Sequence, residues 1–139
     1  MKEVINFIKA QNVESTNFFA QLKCSVEEAK ILQYLSKEYV NGRDTLGVID
    51  VLAEFYDLKT YAHLPKLDLI KSLLEFGWLV QVSFDQVKLS EVSKLELINS
   101  SVSLSSAYLK MLENGNSEFV LPEIKNYSDH LEYLQDQFF

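Results

Sequence analysis

The sequence contains few of the residues that usually point to a site or a compartment. Its 139 residues include one cysteine, four glycines, two prolines and a single arginine, Arg43. The lone cysteine, Cys24, has no second cysteine with which to form a disulfide within the chain, which is typical of an intracellular protein. No apolar run approaches the roughly 20 residues of a membrane-spanning helix. The first residues carry charges at Lys2, Glu3 and Lys9 and lack the apolar core of a signal peptide. These features predict a cytoplasmic protein.

Motifs for nucleotide, metal or covalent chemistry are also missing. The four glycines stand alone, whereas a phosphate-binding loop needs several backbone amides that converge on one anion. His63, His130 and Cys24 lie too far apart in the sequence to predict the three or four ligands of a zinc site. Cys24 precedes a predicted helix, and a helix N-terminus would lower the pKa of its thiol. We still predict no catalytic residue, no metal site and no cofactor in this chain.

The composition that remains is that of a folded domain. Hydrophobic residues make up 47% and charged residues 24% of the chain, which is ordinary for a globular protein. A chain of this length can bury a core without disulfides. The net charge of −7 repels phosphate backbones and anionic lipid. The charge therefore argues against nucleic acid as the main partner and against a membrane surface.

Helix signals dominate the first half of the chain. The segment Ser25–Glu28 matches the capping box, in which a serine side chain and a glutamate three residues later bond each other's backbone amides. Asp44 or Thr45 is placed to cap a second helix soon after the first one ends. Pro65 suits the first turn of a third helix, and Gly77 suits its end. Three helices are therefore predicted in succession.

After these helices the pattern changes to that of strands. Trp78–Ser83 predicts a strand from its apolar and β-branched residues. Phe84–Gln86 is the predicted turn, and residues 87–92 are a weak return. A second strand is predicted from four alternating apolar residues: Leu95, Leu97, Val102 and Leu104. Helix, helix, helix, strand, turn and strand is the chain order of a winged helix, and a three-helix bundle with a hairpin has the same order.

The predicted fold class is α+β: mainly α with a small antiparallel β-ribbon, and a winged-helix-like core with extra N- and C-terminal helices. We divide the chain into a helical extension (1–24), the core (25–115) and a C-terminal connector and helix that lead out of the domain (116–139). Ser105 or Ser106 is predicted to cap the helix that ends near Gly115. The helical pattern continues to the final aromatics, which is typical of a chain cut from something longer; the alternative is that these aromatics pack within the domain.

Two sets of residues are candidates for contact with a partner. If the third helix were a DNA-recognition helix, the residues facing DNA would be Lys59, His63, Lys66 and Lys71. Asp68 and Glu75 lie on the same helix without any arginine, so the predicted face has mixed charge rather than a basic stripe. A protein interface is predicted instead at aromatic and apolar residues near the two ends: Phe18, Phe19, Leu134, Phe138 and Phe139. The N-terminal aromatics belong either to the core or to that interface.

Four segments carry a resemblance to a known family: ILQYLSKEYVNG, LGVIDVLAEFY, LIKSLLEFGWLVQ and LELINSSVSLSSAYLKMLENG. In this order they resemble the N-terminal winged-helix-like region of a group of bacterial AAA+ ATPases. There, a helical pair and a GWL-type strand entry precede a V-x-L-S-x-x-Y/F-L-x-x-L-L-x-G segment, which corresponds here to Val102–Gly115. The resemblance covers residues 25–115. It implies that an ATPase module follows Phe139, assembled as a ring oligomer, and that no ATPase residue lies in this chain.

Three functions are therefore compared. The leading hypothesis is a non-catalytic interaction or regulatory domain of a larger AAA+ type ATPase, whose partner is another protein, its own ATPase module or a neighbouring copy. The first alternative is a winged-helix DNA-binding transcription regulator that acts as a dimer. The second alternative is an enzyme of unrecognised type.

Overall fold

The computed structural model describes residues 1–82 and 93–114, which form helices around a small antiparallel sheet. The described helices are α1 (Lys2–Lys9), α2 (Asn17–Leu22), α3 (Val26–Val40), α4 (Val48–Phe55), α5 (Leu67–Phe76), α6 (Lys94–Leu97) and α7 (Ser106–Asn114). The strands are β1 (Thr45–Gly47), β2 (Leu79–Val82) and β3 (Ser101–Leu104), and short 3-10 turns cover Val13–Ser15 and Leu64–Lys66. The predicted α+β class, mainly helical with a small antiparallel sheet, is confirmed.

Three of the predicted helix boundaries are confirmed, two by hydrogen bonds to a serine side chain and one by the backbone conformation of a glycine. The Glu28 backbone amide donates to Ser25 Oγ, and the Ser25 amide donates to Glu28 Oε1, both at 3.1 Å. Helix α5 ends on Gly77 with φ of 103°, a left-handed conformation that only glycine adopts without strain. The Tyr108 amide donates to Ser105 Oγ at 3.1 Å, so Ser105 caps α7. Each of the two serine caps contributes about 1 kcal/mol to helix stability.

The predicted start of the second helix is wrong. Asp44 and Thr45 do not cap it: strand β1 intervenes, and α4 follows Gly47 as its N-terminal cap residue. Strand β1 forms because Thr45 pairs with Ser103 and Gly47 pairs with Ser101 in β3. Since the strand is only three residues long, it shows no alternation of its own, and only its distant partner stabilises it.

The second predicted strand is right in its second half and wrong in its first. Leu95 and Leu97 lie in helix α6, because Ser93 and Glu96 form another capping box with bonds of 3.2 and 2.7 Å. The strand itself is limited to β3. The predicted turn at 84–86, the return at 87–92 and the C-terminal connector and helix at 116–139 lie outside the described residues.

Strand β3 is the centre of the sheet, between β1 and β2. Its pairing with β2 sets Leu79 opposite Leu104 and Val82 opposite Ser101, which confirms the strand predicted within Trp78–Ser83. Helices α3 and α5 pack against the sheet, and α1 packs against α3 and α7. Residues 1–24 thus contribute to the same core as the rest of the described chain.

Aromatic rings fill the centre of this core. The ring centroids of Phe7 and Phe18 lie 4.9 Å apart, and Phe18 lies 5.8 Å from Tyr108. Trp78 packs 5.9 Å from the same Tyr108 ring. The indole N–H of Trp78 donates to the Leu22 carbonyl at 3.0 Å, so helix α2 is tied to the start of β2.

Candidate functional site

The lysine at the start of α5 is held by an acid and an aromatic ring from other helices. Lys66 Nζ lies 2.7 Å from Glu27 Oε2 and 5.3 Å from the centroid of the Tyr56 ring. The Tyr56 hydroxyl donates to the same Glu27 oxygen at 2.6 Å. The bonds from Lys66 and then Tyr56 lower the pKa of Glu27, while burial and the bond to Glu27 raise the pKa of Tyr56. The positive charge of Lys66 is therefore compensated within the domain.

Two further residues of the predicted DNA-facing region are not available to DNA, because one is in an ion pair and the other is buried. Asp68 Oδ1 lies 2.5 Å from Lys94 Nζ, so α5 and α6 are linked by an ion pair. His63 is buried, and its Nδ1 has no hydrogen-bond partner among the described residues. A buried imidazole does not reach a duplex from this position. The sequence analysis placed His63 among the DNA-facing residues. The spacing of residues along the chain does not show which side chains are buried when the helices pack.

Only two members of the predicted DNA-facing set keep an uncompensated positive charge in the described part of the chain. Lys59 is exposed and Lys71 is half-buried, and neither forms an ion pair with a described carboxylate. Glu75 is exposed on the same helix as Lys71. Two lysines beside an acid fall short of the basic stripe that phosphate contacts need.

The predicted protein-interface residues at the N-terminus lie in or against the core. Phe18 is only 2% exposed, and its ring packs edge-on against Phe7 and Tyr108. Phe19 is half-buried and packs against the same core. Of the two alternatives for these aromatics, the structure places Phe18 in the core. The other predicted interface residues, Leu134, Phe138 and Phe139, lie outside the described residues.

The structure instead exposes apolar side chains in the connector between α4 and α5, at positions that the sequence analysis did not single out. Tyr61 is 68% exposed and Leu64 is 36% exposed; we call these two residues the connector surface. Tyr61 has φ of 62°, a left-handed conformation that costs a non-glycine residue roughly 1–2 kcal/mol. Its amide donates to the Leu58 carbonyl at 3.1 Å, and its own carbonyl accepts the Leu64 amide at 3.2 Å. The backbone therefore holds an aromatic side chain outward in a defined, strained conformation.

The helix N-terminus that follows Cys24 does not lower the pKa of its thiol. Burial, and secondarily the charge of Glu28, raise the pKa of the Cys24 thiol to about 12. The side chain packs against the core, so the cost of burying a thiolate exceeds the effect of the neighbouring helix N-terminus. At neutral pH the thiol is protonated, and it is not an activated nucleophile.

The described residues offer little for other kinds of site. Residues 1–82 and 93–114 contain no group of three or more His, Cys, Asp or Glu side chains able to hold a metal ion. No helix in these ranges has the length and apolarity to cross a membrane. An open cleft of about 230 Å³ lies between α1 and the start of α2, and Glu3 is the only titratable side chain that lines it. Among known proteins, no family model, no curated protein and no solved structure matches this chain.

Proposed function

We propose that the chain is a non-catalytic protein-interaction domain with a winged-helix-like core, which acts as a regulatory part of a larger cytoplasmic AAA+ type ATPase. The order α3, β1, α4, α5, β2, α6 and β3, with β3 at the centre of the sheet, supports the winged-helix-like interpretation, in which α6 is an addition between the last two strands. The AAA+ part of the proposal depends on the resemblance of residues 25–115 to the N-terminal region of those ATPases. In that setting the domain senses a substrate, an adaptor or a neighbouring subunit.

The observation that carries the interaction function is the connector surface next to helix α5. Aromatic side chains are enriched in the centres of protein interfaces, because they bury a large area with few rotatable bonds. Tyr61 offers such a ring in a conformation that costs stability in the free domain. A protein partner that covers this surface would bury the Tyr61 ring, which is now largely in water, and the exposed third of Leu64.

The charges beside this surface favour a protein over a nucleic acid. Lys66 is paired with Glu27, and Asp68 is paired with Lys94. The start of α5 is thus close to neutral, whereas DNA binding depends on uncompensated lysines and arginines. The chain as a whole carries a net charge of −7.

Two experiments test this proposal. The reading frame beyond the codon for Phe139 is expected to encode a P-loop, and a stop codon there would contradict the AAA+ assignment. If the P-loop is present, a version of the full protein that begins after Phe139 should retain basal ATP hydrolysis, because the removed residues contain no ATPase motif. Complete loss of hydrolysis in a version that still folds and assembles would argue against a purely regulatory role.

The second candidate is a winged-helix transcription regulator, which the element order favours; Lys59 and Lys71, which pair with no described carboxylate, would be its phosphate contacts. Titration of random duplex DNA at low salt distinguishes the two functions, since a regulator would bind at micromolar concentration with a steep salt dependence. The matched variants are Lys59→Ala with Lys71→Ala, and Lys2→Ala with Lys9→Ala on α1. Binding that only the first pair removes would favour the regulator; absence of binding, or equal loss in both pairs, supports the interaction domain.

A further inference from the structure

The connector between α4 and α5 contains two features that cost stability, and they lie only two positions apart. Tyr61 has φ of 62°, a left-handed conformation that an aromatic residue keeps only when its surroundings hold it there. His63 is only 6% exposed, and its Nδ1 bonds no described group, although buried polar atoms normally have a partner. A different conformation of this one segment would remove both costs.

Residues 57–64, which we call the strap, are held mainly by hydrogen bonds among themselves. The Ala62 amide donates to the Asp57 carbonyl, and the Tyr61 amide donates to the Leu58 carbonyl, both at 3.1 Å. No backbone hydrogen bond among the described residues joins the strap to α3 or to the sheet, and most of its side chains are exposed. Segments with local, exposed hydrogen bonds open at a lower free energy than the core does.

Glu27 on α3 attaches both flanks of the strap. Tyr56, which follows α4, donates its hydroxyl to Glu27 Oε2 at 2.6 Å. Lys66, which precedes α5, has its Nζ 2.7 Å from the same oxygen. The two flanks are therefore attached to α3 at one point, which favours the closed form of the strap and keeps α4 and α5 in place when the strap opens.

We propose that the strap exchanges between the described, closed conformation and an open one, while Glu27 holds its flanks. In the open form Tyr61 leaves the left-handed region, and His63 Nδ1 bonds water. The closed form is the main one, because opening breaks the hydrogen bonds within the strap and exposes the buried His63 ring. Tyr61 and Leu64, the connector surface, both belong to the strap, so a partner that prefers one form shifts the balance between the two.

Hydrogen exchange of the free 139-residue chain, followed amide by amide with NMR, measures this opening. The amides of Tyr61, Ala62 and Leu64 each donate to a carbonyl within the strap. The Ser105 amide, which donates to the Trp78 carbonyl in the core at 3.0 Å, is the reference. We expect the three strap amides to share one opening constant, at least about tenfold larger than that of the reference. Strap amides that open only together with the reference, or that show no protection at all, would overturn the proposal.

Variants at Tyr61 test whether backbone strain drives the opening. Tyr61→Asn should lower the opening constant of the strap about fivefold, because asparagine tolerates the left-handed conformation of the closed form. Tyr61→Phe keeps both the ring and the strain, and it should leave the constant within about twofold of the parent value. Protection factors corrected for each sequence make the variants comparable. An opening constant in Tyr61→Asn equal to that of the parent would overturn the proposal.

A matched pair of charge-removing variants tests the attachment at Glu27. Glu27→Gln should raise the opening constant of the strap about threefold, because the charged bonds that attach both flanks are weakened. Glu75→Gln removes the same charge from another exposed position, on α5, and should change the constant less than about twofold. Equal effects of the two substitutions would overturn the proposal that Glu27 holds the flanks. Thermal unfolding checks that each variant folds.

This inference goes beyond the proposed function, and its failure is distinguishable from the failure of that function. The exchange experiment uses the chain without any partner. If it shows a strap that opens only with the core, the connector surface stands as a fixed docking surface. Specific DNA binding that depends on Lys59 and Lys71 would overturn the interaction domain, whatever hydrogen exchange shows.

Discussion

The buried region between α3 and α7 and the connector between α4 and α5 differ in how fully their polar groups are hydrogen-bonded and in whether their backbone is strained. In the buried region between α3 and α7, Ser36 Oγ donates to the Leu32 carbonyl at 2.7 Å. A hydroxyl has one proton to donate, so Tyr108 must be the donor in its 2.7 Å bond to Ser36 Oγ. In the connector between α4 and α5, by contrast, Tyr61 is strained and exposed, and His63 Nδ1 has no described partner. The hydrogen bonds of the first region stabilise the fold, whereas the positive φ of Tyr61 and the unpaired Nδ1 of His63 each lower its stability.

The largest expected loss of stability is in the buried region, at Trp78. The side chain is 1% exposed and its indole N–H bonds the Leu22 carbonyl. Trp78→Ala should lower the free energy of unfolding by about 3–5 kcal/mol, because it leaves a large cavity. Trp78→Phe keeps most of the ring and should cost about 1–3 kcal/mol for the unpaired carbonyl. Urea unfolding measures both, and a loss below about 1 kcal/mol for Trp78→Ala would contradict the described packing.

Cys24 tests the same region through its reactivity. With its pKa at about 12 instead of 9.0, the thiolate fraction at pH 8 falls on the order of 1000-fold, while the thiolate itself becomes more nucleophilic. Alkylation of the folded protein at pH 8 should therefore be slower than that of the unfolded chain by tens of fold. The rate in the folded protein should still be rising with pH at pH 10. A rate that levels off below pH 9 would show that the thiol is activated after all.

The hydrogen bond between the Ser36 and Tyr108 hydroxyls predicts which of two substitutions lowers the free energy of unfolding more. Ser36→Ala leaves the buried Tyr108 hydroxyl as a donor without its acceptor and should cost about 1–3 kcal/mol. Tyr108→Phe removes the donor and leaves Ser36 bonded to Leu32, so it should cost about 1 kcal/mol. Denaturant unfolding of the two variants measures the order, and a larger loss for Tyr108→Phe would reverse the assigned donor.

The same tyrosine makes stability depend on alkaline pH. Burial raises the pKa of Tyr108 above its ordinary value of 10.0. Above pH 10 the unfolded chain therefore binds fewer protons than the folded one, and stability falls as pH rises. Tyr108→Phe should reduce the steepness of this fall, which urea unfolding at pH 8 to 10.5 would measure. A slope identical to that of the parent protein would contradict the assignment to Tyr108.

In the connector, a substitution should stabilise the domain. Tyr61→Asn places a residue that tolerates the left-handed conformation at φ of 62°. We expect the free energy of unfolding to rise by up to about 1 kcal/mol, since the exposed Tyr61 ring has little packing to lose. Tyr61→Phe is the control, because it keeps the strain and the ring. A clear loss of stability in Tyr61→Asn alone would show that the ring packs in the free domain.

The smallest expected effect is at the exposed ion pair between Lys66 and Glu27. Lys66→Gln should cost less than about 1 kcal/mol, because exposed pairs are screened by water. The folded state holds the pKa of Glu27 below 4.5, so the pair's contribution is present at neutral pH and is lost as pH falls through that lowered pKa. Urea unfolding at pH 7 and pH 3 should show a difference between Lys66→Gln and the parent at the higher pH only.

Short sequence motifs predicted some helix ends correctly, but a second capping box of the same kind was missed. The Ser25 capping box and the glycine end of α5 depend on atoms within one turn, and both are confirmed. The equivalent box at Ser93 was overlooked, because alternating leucines around it suggested a strand. At the candidate surfaces, the sequence left Phe18 open between the core and an interface, and it did not show that Lys66 pairs with Glu27.

What the sequence alone determined is therefore the α+β class and the residues at which several helices begin and end, because capping and glycine conformation act over three or four positions. The tertiary structure alone decided the existence of β1, which depends on β3, and the raised pKa of Cys24, which depends on packing. It also decided the bond between Ser36 and Tyr108, which lie 72 residues apart. Contacts over such separations form only when the whole core assembles, so no local pattern records them.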